Sequence, residues 1–194
     1  MKPAVLEYWN KKLRGQASLL HSLKYFNPNY MSLTTTHPIF STCGTSSYEI
    51  SKAVVQARYL SGRARVESLT KHWDNSNKEG LCLLCKDTNS VPGSEEHLLL
   101  PGGCPALAEA RLSMTNFFNC YLVSRPYLFP ILKTCWNCDS DFLSIQFLLD
   151  PSVVPAVIES CQESTEPILS DVFYLTRTYV FKLYLTRKKL LGNI

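Results

Sequence analysis

Cys82-Leu-Leu-Cys85, His97 and Cys104 carry the strongest chemical signal in this chain, in the spacing C-x2-C-x11-H-x6-C. Three sulfurs and one imidazole are soft ligands that suit a tetrahedral zinc ion, and a C-x2-C turn puts two thiolates on one side of the metal. Four protein ligands close such a site, so the expected zinc is structural; catalytic zinc keeps one position open for water. The alternative is that these are buried thiols. Glu95 and Glu96 stand beside His97, where they read as outer-sphere support or solvated charge rather than as general acids. Cys104 beside His97 also resembles a Cys/His nucleophile pair, an arrangement that zinc ligation would silence. A second C-x2-C, Cys135-Trp-Asn-Cys138, offers either a further pair for Cys82 and Cys85 or core thiols at a helix end. Cys43, Cys120 and Cys161 have no partner spacing and read as buried.

The segments around these ligands predict a mostly α fold: a helical domain with a small zinc-knuckle insert. Pro105 suits the first turn of a helix, which places Cys104 at the N-cap, where free N–H groups favour a thiolate. Leu107, Ala110, Met114, Phe117 and Tyr121 then fall on one face. Ser46-x-x-Glu49 is a capping box opening a helix with Ile50, Ala53, Val54, Ala57 and Leu60 as its apolar positions and Gly62 at its stop. Lys52 and Arg58 belong to its polar face, and Arg63 and Arg65 follow. Val66 to Trp73 reads as a further short helix, and 74–80 as a polar turn. Residues 1–30 read as helical pieces anchored by Trp9, Leu13, Leu19, Leu20, Leu23 and Phe26. Ser140 opens another apolar stretch. A last helix spans about Pro167 to Leu191, with Ile168, Val172, Leu175, Tyr179 and Leu183 inward. Arg177, Lys182, Arg187, Lys188 and Lys189 are assigned to its outer face and tail. The expected divisions are a linker and helical segment (1–45), a helical segment (46–79), the zinc knuckle (80–107) and a C-terminal helical region (108–194).

Composition bounds the function. Of 194 residues, 45% are hydrophobic and 19% charged, so the chain is able to build a core. A net charge of +4 permits nucleic-acid contact without demanding it. No run is apolar enough to span a bilayer, and the N-terminus lacks the uninterrupted apolar segment of a signal peptide. The expectation is an intracellular protein of nucleus or cytoplasm, where eight cysteines read as metal ligands or free thiols rather than bridges.

Several short motifs occur together in a fixed order: Ala57-Arg-Tyr-Leu-Ser-Gly-Arg63, Lys71-His-Trp73, Gly80-Leu-Cys-Leu-Leu-Cys85, Glu96-His-Leu-Leu-Leu100 and Cys104-Pro-Ala-Leu107. Ser22-Leu-Lys-Tyr-Phe26 precedes them, and Gln146-Phe-Leu-Leu-Asp-Pro151 and Leu175-Thr-Arg-Thr-Tyr179 follow. This order resembles the C-terminal, post-polymerase region of reverse transcriptases from non-LTR (LINE-type) retrotransposons. The resemblance implies Cys82, Cys85, His97 and Cys104 as zinc ligands, and RNA or DNA held beside a polymerase portion of a parent polyprotein. It departs from the family in one place, with six residues between His97 and Cys104 where the family has about four.

A polymerase palm needs adjacent aspartates for its metals, and this chain has no Asp-Asp pair. The expectation is therefore a non-enzymatic, zinc-binding segment without a small-molecule substrate or a membrane partner. Arg58, Arg63, Arg65 and Lys71 are its candidate phosphate contacts, and a solvated helix face is the competing reading. Trp73 belongs either to the core or to base stacking. The alternatives in function are a zinc-braced protein–protein module and a decayed retroelement remnant without activity.

Overall fold

In the computed structural model, residues 3–20, 23–26, 34, 36–64, 66–67, 79–85, 91–136, 139–163 and 167–192 are described. Helix α1 spans Pro3–Ala17, α2 Pro38–Ser41, α3 Ser47–Leu60, α4 Glu95–Leu99, α5 Ala108–Ser124, α6 Phe129–Cys135, α7 Asp141–Leu149, α8 Pro155–Glu163 and α9 Ile168–Leu190. Short 3-10 turns at Pro105–Leu107, Pro126–Leu128 and Pro151–Val153 each open on proline, whose missing N–H costs nothing in a first turn. Among the described residues the only β pairing is one antiparallel bridge, Leu81 with Pro92. The fold is mostly α, as the periodicities predict. No helix of the described residues is long and apolar enough to cross a membrane.

The 23-residue α9 is the axis of the molecule, and α3, α5, α7 and α8 pack around it. Its inward positions Ile168, Val172, Leu175, Tyr179 and Leu183 are all buried. They meet Ala53, Leu60, Met114, Phe118, Ile145 and Leu148 in one apolar cluster that also takes in Cys82, Cys85 and Cys104. Phe118, Trp136 and Tyr179 form an aromatic knot at its centre, with ring centroids 5.0–5.7 Å apart.

Helix α3 begins where its capping signal puts it: the Ser46 hydroxyl accepts from the Glu49 N–H, and Gly62 follows with φ 64°. Ser140 caps α7 in the same way, accepting from the Leu143 N–H.

Four readings of the sequence require correction. Lys52, assigned to a polar face, is 4% exposed: its ammonium binds Glu49 at 2.7 Å and Thr178 at 3.3 Å. The buried face of α3 is instead Lys52, Ala53, Val55, Gln56, Tyr59 and Leu60, while Ile50 is exposed. Gln56 is drawn inward because its amide donates to the Leu148 carbonyl and the Thr176 hydroxyl. Arg177, assigned to an outer face, is 1% exposed; its guanidinium donates to the Ile39 carbonyl and to the Thr42 hydroxyl and carbonyl. Trp9, Leu19 and Leu20 are exposed rather than anchoring, because α1 buries only Ala17. Cys120 and Cys161 are exposed, since the buried stripe of α5 passes through Ala110, Met114 and Phe118 instead; Cys43 is half-buried. The expected helix from Val66 to Trp73 lies, beyond Glu67, outside the described residues.

Candidate metal centre

The C-x2-C pair sits on a tight turn at the end of a short extended ladder. The Cys82 N–H donates to the Val91 carbonyl and the Gly93 N–H to the Gly80 carbonyl, each at 2.9 Å. The Cys85 N–H closes the turn on the Cys82 carbonyl at 3.3 Å. His97 stands in α4, capped by the Ser94 hydroxyl, which accepts from the His97 N–H itself.

The six-residue spacer to Cys104 does not hold the ligands apart. Residues Pro101–Gly103 loop out, with Gly102 in the left-handed region at φ 78°. The Gly103 N–H donates to Leu100, and the Cys104 N–H reaches back to the His97 carbonyl at 2.6 Å. Gly103 has a steric reason to be glycine: a Cβ there would lie 2.2 Å from the His97 carbonyl oxygen.

The four ligand atoms converge within 4.8 Å of one another. Cys82 Sγ lies 3.8 Å from Cys104 Sγ, and Cys85 Sγ lies 3.2 Å from His97 Nε2. A tetrahedron with zinc–sulfur bonds of about 2.3 Å has sulfur–sulfur edges of about 3.8 Å, and sulfur–nitrogen edges of about 3.6 Å. The set therefore fits a tetrahedral ion with shifts of a few tenths of an ångström. Cys82 and Cys104 are fully buried, Cys85 nearly so, and His97 is half-buried.

The electrostatics favour a cation at the centre. Burial, with Cys82 and Cys104 alongside, pushes the Cys85 thiol up to about 12. Burial and Cys82 also push the Cys104 thiol up. Burial first, and then the Arg111 guanidinium, lower His97, which keeps its imidazole neutral and able to donate a lone pair. Three crowded, desolvated sulfurs resist ionisation unless a positive ion sits among them.

Two residues that hold the site carry no motif. Arg111 on α5 is 6% exposed, and its guanidinium donates to the Leu98 carbonyl at 3.2 Å and the Cys104 carbonyl at 2.5 Å. It thus ties the His97 and Cys104 arms together. Glu67 accepts from the Leu83 N–H inside the C-x2-C turn and from Arg187 Nη2 at 2.6 Å, linking that turn to α9. Their sequence signal is no more than a charged residue near a ligand. Tyr179 adds a further tie, its hydroxyl donating to the Leu99 carbonyl at 2.7 Å.

The other expected functional residues fall elsewhere. Glu96 accepts from Lys24 Nζ at 2.7 Å and from the Tyr25 hydroxyl; against the upward push of burial, these bonds hold its carboxyl down to about 2. Glu95 is buried beside it. Cys104 does precede a proline-led turn, but that turn is 3-10, and α5 begins only at Ala108. Cys135 is a buried core thiol at the end of α6; Cys138 lies outside the described residues. Arg58 and Arg63 are exposed at the end of α3 and just beyond it, whereas Arg65 and Lys71 lie outside the described residues, as does Trp73. No family model, no curated protein and no solved structure matches this chain.

Proposed function

We propose that the chain is a non-catalytic helical domain, stapled by one zinc ion on Cys82, Cys85, His97 and Cys104, that binds RNA or DNA. The convergence of the four ligand atoms within 4.8 Å carries the metal part of this reading. The choice of zinc follows from the donors, since three sulfurs and one imidazole suit its soft, tetrahedral preference. When bound, the ion would supply folding energy rather than a reactive water. Three thiolates and a divalent ion sum to one negative charge, and Arg111 is the buried cation that offsets it.

The nucleic-acid part rests on weaker supports. Arg58 and Arg63 present exposed guanidinium groups close together in sequence, and Arg65 and Lys71 extend the same basic run. The ordered motifs resemble the post-polymerase region of non-LTR reverse transcriptases, and a segment of that kind would lie beside template or target within a larger polyprotein. The test is fluorescence anisotropy with labelled single-stranded RNA and duplex DNA across a salt series. The expected result is binding that falls steeply with salt, with a shallower slope in Arg58→Gln/Arg63→Gln; each lost phosphate contact on a duplex lowers the slope by about 0.9. Salt-independent binding, or none, would count against this part alone.

A second reading is a zinc-braced protein–protein module. It is favoured by the exposed Val5, Tyr8 and Trp9 of α1 and by Leu19 and Leu20 beyond it. Association that survives high salt would support that reading instead.

A further inference from the structure

A groove of about 740 Å³ opens far along the chain from the metal ligands. The 41–44 loop and Glu49 of α3 form one side, Tyr121 and Arg125 at the end of α5 another, and the start of α9 the third. Arg177 lines it while being only 1% exposed, so this side chain forms the floor.

The charges lining the groove do not cancel. Asp171 is neutralised by Arg125, whose Nε lies 3.0 Å from Oδ2, and the hydroxyls of Tyr121 and Tyr127 also donate to it. Glu49 is neutralised by Lys52 at 2.7 Å. That leaves Arg177, whose hydrogen bonds run to neutral groups, the Ile39 carbonyl and the carbonyl and hydroxyl of Thr42. Its Nε has no hydrogen-bond partner among the described residues. Burial lowers its basicity, which is the cost of keeping a guanidinium from water without an anion beside it. A buried guanidinium facing a groove with a surplus positive charge is a receptor for an oxyanion. The hydroxyls of Ser41 and Ser170 at the rim can donate to the remaining oxygens of a tetrahedral anion.

We infer that this groove binds a phosphate group, with Arg177 as its countercharge and Ser41 and Ser170 as flanking donors. The phosphate belongs either to a small ester or to a nucleic-acid strand. This site is independent of the metal centre.

The orphaned Nε gives a direct readout. Inorganic phosphate, a nucleoside 5′-monophosphate and a short single-stranded oligonucleotide are titrated separately into the full chain. The Arg177 Nε–Hε resonance is followed by NMR, with sodium chloride as the ionic-strength control. The companion variant is Ser170→Glu. It adds a carboxylate at the rim, in the first turn of a helix that tolerates acidic residues, and leaves Arg177 and the core intact. The expected result is a saturable shift of the Arg177 resonance with phosphate, absent with chloride, and roughly tenfold weaker binding in Ser170→Glu. Tighter binding of the oligonucleotide than of phosphate identifies a strand as the source; binding that favours the monophosphate identifies a small ester. An Arg177 resonance that does not move with any of the three, or a response equal in Ser170→Glu, overturns the inference.

Discussion

At the scale of single residues, the candidate centre depends on groups that never touch a metal. Arg111 joins the two arms of the site through the Leu98 and Cys104 carbonyls. Arg111→Met keeps the length of the side chain but leaves both carbonyls without that donor. Unsatisfied buried acceptors cost about 1–3 kcal/mol each, so the variant is expected to melt earlier and to lose zinc faster to a chelator. Unchanged zinc release kinetics would mean that Arg111 plays no part in holding the ligands. Gly103 offers a steric test of the same arms. Gly103→Ala drives a methyl against the His97 carbonyl, so the Cys104–His97 hydrogen bond must open. A competition titration should give weaker zinc binding, by an amount well above that of Gly15→Ala, where the added methyl meets open space. Equal affinities in the two variants would refute the tight approach.

At the scale of elements, α9 joins most of the fold through polar clamps as well as apolar packing. Arg177 fastens the 39–42 segment, Thr176 receives Gln56 of α3, and Tyr179 holds the α4 carbonyl at Leu99. Arg177→Met should destabilise the chain by about 3 kcal/mol in a denaturant melt, because the Ile39 and Thr42 carbonyls lose their charged donor. A change below about 0.5 kcal/mol, the level of an ordinary surface substitution, would contradict that clamp role. These clamps also mark where sequence reading failed. The period of Ile168, Val172, Leu175, Tyr179 and Leu183 was legible because burial of an apolar stripe is what periodicity encodes. The caps at Ser46 and Ser140 were legible because capping is local. Lys52, Gln56 and Arg177 were not, because their partners are 92 to 138 residues away and a charged side chain reads as solvent-facing until its acceptor is known. The metal ligands were legible from type and spacing alone. Their extended His–Cys spacing needed the structure, since only the looped Pro101–Gly103 turn explains how His97 and Cys104 still meet. Trp9, Leu19 and Leu20 misled in the opposite sense, as apolar residues that pack on nothing within the chain described here.

At the scale of the whole molecule, the metal ligands are part of the core rather than an appendage. Cys82, Cys85 and Cys104 belong to the same buried cluster as α9 and α5. Removing the ion should therefore disturb more than the 80–107 segment. A structural zinc contributes on the order of 10 kcal/mol in isolated fingers, which is comparable to the whole stability of a domain. Chelation is expected to lower the melting temperature of the entire chain in one transition, and a melt insensitive to chelator would argue that the apolar core stands alone. The measurement that reaches the central claim most directly is metal stoichiometry by elemental analysis. It is made on reduced protein, with a Cys82→Ser/Cys104→Ser variant purified in parallel. One zinc per chain in the natural sequence and none in the variant is the predicted result. Natural protein that takes up no zinc, or a variant that retains it, would contradict a centre built from Cys82, Cys85, His97 and Cys104.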